Sequence, residues 1–210
     1  MWDATSTREL ETFDSQFNWN GLFKSGATAR ASVRHRRELI RESFSVGDVE
    51  IIPGLYNFQL AELGFGSTTG NDFRVNLRAT AGEYFGGNQY RAVLSPSWTI
   101  DEHLAFTFDY EYNRIEVDQK LFKAHLTRMR IRTSINHALT INSFIQFNSE
   151  ISELAVNVRL RYNPSEGSDP YLVYNENINT SLNPDDDLLP RLPRSQNRAV
   201  LLKFSHTFVR

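Results

Sequence analysis

The chain has 210 residues, a formal net charge of -2 and a mean hydropathy of -0.44, so nothing in its charge invites nucleic acid. No run of about 18 consecutive apolar residues occurs, which excludes a transmembrane helix, and the lack of cysteine excludes a disulfide scaffold and thiol chemistry. A polar average does not exclude a membrane β-barrel, which shows lipid only every second residue and hides a polar interior.

The expected elements are strands, taken here in chain order. Phe13, Ser15, Phe17 and Trp19 alternate with Asp14, Gln16 and Asn18. Ala27, Ala29, Ala31 and Val33 alternate with Thr28, Arg30, Ser32 and Arg34. Tyr56, Phe58 and Leu60 then shift phase before Leu63 and Phe65, which reads as one extra residue in a β-bulge. Phe73, Val75, Leu77 and Ala79 oppose Arg74, Asn76 and Arg78. Tyr90, Ala92, Leu94 and Trp98 oppose Arg91, Ser95 and Ser97. Leu104, Phe106, Phe108, Tyr110 and Tyr112 oppose Thr107, Asp109 and Glu111. A second phase shift separates Phe122, Ala124 and Leu126 from Met129 and Ile131, again reading as a bulge. Leu139, Ile141, Ile145 and Phe147 follow, and then Leu154, Val156, Val158 and Leu160 opposite Asn157, Arg159 and Arg161. Tyr171 to Asn177 is short, and the last row is Val200, Leu202, Phe204, His206 and Phe208.

This is period two and not 3.6. It gives about eleven strands, most near the roughly 9–11 residues that a tilted transmembrane strand needs. Since single-chain bacterial barrels have even counts, a twelfth is sought near Trp2–Arg8 or upstream. The expected fold is an all-β, antiparallel up-and-down transmembrane β-barrel, or the C-terminal part of one, forming a single domain over residues 1–210. With the aromatic Phe208 at a periplasmic end, Arg37–Leu55, Arg114–Leu121 and Ile178–Asn197 fall on the outer side. Short turns near Asn20–Phe23, Thr68–Asp72, Ile100–Glu102, Ile135–His137 and Asn163–Asp169 fall on the other. The two longest connections thus share a side, as barrels prefer.

Several of these runs carry a family resemblance. GEYFGGNQYRAVLSPSW (82–98), FTFDYEYNRIEV (106–117), FIQFNSEISELAVNVRLRYNPSEGSDPYLVYNEN (144–177) and RAVLLKFSHTF (198–208) look like one known C-terminal domain. It resembles the β-barrel domain of large bacterial outer-membrane proteins of uncharacterised function, which often carry an N-terminal carbohydrate-binding-family-nine-like domain. The resemblance implies a Gram-negative outer-membrane location, with outer-membrane lipid and lipopolysaccharide as partners. The start Met1-Trp2-Asp3-Ala4 carries no apolar signal core, so the chain is expected to be a C-terminal piece of a longer protein.

Expected lumen-facing polar residues are Arg74, Arg78, Arg91, Asp109, Glu111, Arg159, Arg161 and Lys203. Charges of both signs in a wet interior find partners or water. No catalytic residue and no cofactor is expected, because no nucleophile elbow, Walker sequence or His-Glu-x-x-His is present. His35, His103, His125, His137 and His206 are scattered. Asp109 and Glu111 stand two apart on one strand face, and nearby arginines favour ion pairing over acid–base work. Asp185, Asp186 and Asp187 are weak candidates for a divalent cation, their ordinary role being a solvated loop tip. Arg191 and Arg194 beside them suit anionic lipopolysaccharide, and the C-terminal strand is expected to meet the outer-membrane assembly machinery.

The leading expectation is therefore an outer-membrane barrel domain that anchors a partner domain and passes or holds a ligand in a polar lumen. The alternatives are an integral outer-membrane hydrolase acting on carbohydrate or lipid, and a soluble β-barrel with its aromatic rows turned inward around an apolar ligand.

Overall fold

The computed structural model describes residues 3–4, 10–165, 167–182 and 191–207. Among these residues there is no helix, and every element is a strand: β1 (Asp3–Ala4), β2 (Leu10–Leu22), β3 (Thr28–Ile40), β4 (Phe44–Val46), β5 (Val49–Ile51), β6 (Gly54–Gly66), β7 (Phe73–Tyr84), β8 (Gly87–Thr99), β9 (Leu104–Val117), β10 (Lys120–Ser134), β11 (Leu139–Asn148), β12 (Glu153–Tyr162), β13 (Tyr171–Asn179) and β14 (Ser195–Lys203). Twelve form one sheet in chain order, β1-β2-β3-β6 and onward to β14, while β4 and β5 form a separate hairpin. Pairing is antiparallel from β1 through β2, β3 and β6 to β7, from β10 to β14, and between β4 and β5. The architecture is the expected all-β, up-and-down one. The expected eleven long strands are all present, and β1 supplies a short twelfth in the Trp2–Arg8 region.

The residues group into two compact units, one of 1–94 with 111–124 and one of 95–110 with 125–210. In the first, β2, β3, β6 and β7 pair in continuous register, so one face collects Phe17, Val33, Ala61 and Ala81 in a row across the strands, and Trp19, Ala31, Leu63 and Ala79 in the next. These apolar side chains are exposed, Phe17 by 73% and Leu63 by 64%. In the second unit β10 to β14 do the same: Ile145 sits between Met129 and Val156, and Leu160 lies between Ile141 and Leu172.

Two expectations change here. The phase shift at Tyr56–Leu60 is not a bulge, because β3 and β6 pair without interruption from Thr28↔Gly66 to Ile40↔Gly54. Tyr56, Phe58 and Leu60 lie on the face that carries Arg34, Arg36 and Glu38. There they pack with the β4–β5 hairpin, in a buried cluster of Val49, Ile51, Phe58, Phe85 and Val117. The shift at Phe122 has the same cause: Phe122 packs against that cluster, and β10 pairs with β11 without a break from Leu126 to Ser134.

The connections also differ from expectation. Arg114–Leu121 is not a loop; β9 and β10 meet at a two-residue turn, Asp118 and Gln119, with φ of 49° and 65°. Positive φ at both residues is the geometry that matches the twist of a tight hairpin. Phe85 and Gly86 make the same kind of turn between β7 and β8, with φ of 43° and 86°. The outer connection expected at Arg37–Leu55 is the hairpin itself, flanked by β3 as far as Ile40. At the far end β14 stops at Lys203, yet backbone bonding continues as Asp169 N–H donates to Ser205 O at 2.8 Å and Thr207 N–H to Gly167 O at 2.7 Å. Phe208 and Asp185–Asp187 lie outside the described residues.

Candidate functional site

The charged side chains gather on the face opposite the apolar rows. In the first unit, period two and the register put Asn20, Arg30, Gly64 and Arg78 in one row and Asn18, Ser32, Glu62 and Thr80 in the next. Arg74 shares the face of Arg78, four residues along the same strand. The cations are held by neighbours across the ladder or, for Arg36, along the same strand. Arg34 meets Asp14 at 3.5 Å and donates to Gln16 Oε1 at 2.9 Å. Arg30 donates to Asn20 Oδ1 at 2.9 Å. Arg78 meets Glu62 at 3.6 Å, Arg36 meets Glu38 at 3.0 Å, and Arg91 meets Glu111 at 2.9 Å. The four arginine–carboxylate pairs keep their arginines exposed to solvent, so they are worth little as stability and more as a fixed charge pattern.

The second unit repeats the arrangement with fewer acids. Arg132, Asn142, Arg159 and Val173 share one row, and Arg130, Phe144, Asn157 and Asn175 the next. Arg161 pairs with Tyr171, which pairs with Lys203, in a third. Arg130 meets Asp109 at 3.3 Å and lies over the Phe144 ring at 5.1 Å. Arg161 donates twice to the Asp169 carboxylate, at 2.7 and 2.9 Å, and lies over the Tyr171 ring. Asn157 donates to Asn175 across the β12–β13 ladder. Among the described residues Arg128, Arg132, Arg159 and Lys203 form no ion pair. Among the described residues the six cations of this face, Arg128, Arg130, Arg132, Arg159, Arg161 and Lys203, outnumber its carboxylates Asp109, Glu153 and Asp169.

Asp109 and Glu111, weighed above as an acid–base pair, are each engaged by an arginine. Four histidines each have a local partner of their own. His35 lies near Phe13, His103 Nδ1 meets Ser134 O at 2.7 Å, His125 Nδ1 meets the Tyr110 hydroxyl at 2.7 Å, and His206 stacks on Phe204. No group of three or more His, Asp or Glu capable of holding a metal occurs among the described residues.

Two features were not read from the sequence. One is the β4–β5 hairpin, whose signal is a Gly47-Asp48 pair between Val46 and Val49. Gly47 has φ of 56°, and a glycine at the first position is what a II′ hairpin turn needs. The other is an ion pair on the apolar face. Glu176 and Arg198 are register partners, in line with Val156, and Arg198 Nη2 meets Glu176 Oε1 at 2.5 Å. The Tyr174 hydroxyl also donates to that carboxylate.

No family model matches the chain, and no curated protein matches it. Among solved structures it is similar to the KdgM porin, at 13% identity and a TM-score of 0.36 over 93% of this chain and 92% of that one. A structure of the KdgM porin in complex with disordered oligogalacturonate matches at 13% identity and a TM-score of 0.35, over the same shares. The NanC porin matches at 12% identity and 0.38, over 94% of each. These neighbours are outer-membrane porins; at such identities and scores they say nothing of what this chain binds.

Proposed function

We propose that this chain is a β-barrel domain of the bacterial outer membrane, or the C-terminal part of one, whose polar faces line a water-filled path favouring anionic solutes. The observation that carries the reading is the division of each strand. Large apolar side chains such as Phe17, Trp19, Leu63 and Leu202 are exposed on one face, whereas most arginines occupy the other, Arg37 and the paired Arg198 being exceptions. An exposed apolar surface of this extent needs a cover, and period-two rows of tilted-strand length fit lipid. A soluble barrel with its aromatic rows inside would bury those same residues. The cation surplus of Arg128, Arg132, Arg159 and Lys203 gives the preference for anions, since fixed charge along an aqueous path sets which ion enters.

On this reading Arg74, Arg78, Arg91, Asp109, Glu111, Arg159, Arg161 and Lys203 are lumen-facing. The charge of Arg191 and Arg194 suits anionic lipopolysaccharide as a partner, and the resemblance to the barrel domains described above favours a role as anchor for an attached binding domain. The test is conductance in planar bilayers under a salt gradient. A reversal potential on the anion side is expected, moving toward cations when Arg132→Glu and Arg159→Glu are combined. An absence of conductance from heat-modifiable, folded protein would count against passage, and an unmoved potential against the lumenal placement of these arginines.

A further inference from the structure

Among the described residues the largest fully buried side chains are Val49 and Ile51, 0% and 1% exposed, and they belong to a hairpin that sits on the polar face instead of projecting from the sheet. Three tight turns build its seat. The Phe85–Gly86 turn sets Phe85 edge-on to Tyr56 at 5.2 Å and to Tyr84 at 4.7 Å. The Asp118–Gln119 turn ends β9 at Val117, which alternates in phase with Ile115 and Glu111. The turn of the hairpin itself brings Gly47 so close to Phe122 that a Cβ there would lie 2.4 Å from the ring. The backbone is tight beneath: a Cβ on Gly87 would lie 1.9 Å from Glu116 O, and one on Gly82 would lie 2.1 Å from Gln59 O. Arg36 closes the lower edge, 5.9 Å over the Phe58 ring.

The hairpin has two sides of opposite character. Val49 and Ile51 enter the cluster, while Glu42, Asp48 and Glu50 stay exposed. We propose that the β4–β5 hairpin is a docked constriction: its apolar side holds it on the polar face of β6–β7–β9, and Asp48 and Glu50 add negative charge to the path that the arginines line. A free outer loop would not need Val49, Ile51, Phe58, Phe85 and Val117 to exclude water together. Burial of this kind fixes a segment against local opening. Docking stands on the cluster alone; the constriction rests on the proposed passage.

The cysteine-free chain makes single-cysteine labelling clean. In folded protein, Glu50→Cys should react with a water-soluble maleimide about tenfold or more faster than Val49→Cys. Ile51→Cys against Ser45→Cys repeats the comparison should Val49→Cys lose its heat-modifiable migration. Equal rates in the folded variants would overturn docking. In bilayers, replacing residues 43–52 by a short Gly-Ser link should raise single-channel conductance by about twofold or more. Asp48→Lys combined with Glu50→Lys should move the reversal potential further toward anions. Unchanged conductance in the link variant, with the parent conducting, would overturn the constriction. If neither conducts, the passage reading fails and the constriction with it, while the labelling still decides docking.

Discussion

At the residue scale the best-defined group is the Asp169 carboxylate, in the turn between β12 and β13. It accepts two bonds from Arg161 and one from the Tyr171 hydroxyl, and these lower its pKa from 3.8 to about 2. A carboxylate that is more acidic in the folded chain stabilises the fold above its unfolded value, and that contribution is lost as pH falls through the folded one. Stability should therefore decline between about pH 4 and pH 2, and Asp169→Asn should flatten that part of the profile. Urea unfolding of the two proteins across this window is the check; parallel profiles would remove Asp169 from the acid response. Because the group is open to solvent, the step is a small one. Gly87 makes the second residue-scale prediction. Its missing Cβ leaves room for Glu116 O, so Gly87→Ala forces β8 and β9 apart. Reduced yield of heat-modifiable protein is expected, with Gly70→Ala, which meets nothing within 4 Å, as the tolerated control.

At the element scale the strands were legible and their exceptions were not. Alternation identified every long strand, because a half-covered strand must separate its faces with period two. It failed at Tyr56–Leu60 and at Phe122, where apolar residues appear on the polar face. A bulge is the simplest local repair for a broken phase, and nothing local says that a distant hairpin has come to cover those side chains. The Gly47-Asp48 pair could have shown the hairpin, since Phe44, Val46, Val49 and Ile51 alternate around it. Its docking partners Phe85 and Val117, however, are 34 or more positions from Ile51 and visible only in the fold. The same strands give a direct energetic prediction. Val156→Arg or Val158→Arg should cost about 2–4 kcal/mol near the membrane midplane, with Asn157→Arg between them far less. Phe106 and Thr107 should differ likewise. Urea-dependent folding into lipid vesicles measures each, and equal cost for neighbours would refute the face assignment.

At the scale of the whole molecule the division of faces is what the sequence foretold best and the charge balance least. Composition shows a nearly neutral chain, yet in the second unit the carboxylates fall short of the cations on the polar face. Glu176 accounts for part of this. It lies on the apolar face in the grip of Arg198 and Tyr174, and only the β13–β14 register shows that. If the proposed membrane placement holds, removing either partner leaves a charge facing lipid, so Arg198→Leu should lower stability more than the double change Arg198→Leu with Glu176→Leu. The central claim is that apolar faces meet lipid while polar faces meet water. The most direct test is a cysteine scan along β12 in lipid vesicles, reading the rate of modification by a small water-soluble thiol reagent. Ala155, Asn157 and Arg159 should react quickly and Val156, Val158 and Leu160 slowly, with period two; uniform rates along the strand would contradict the membrane-spanning reading.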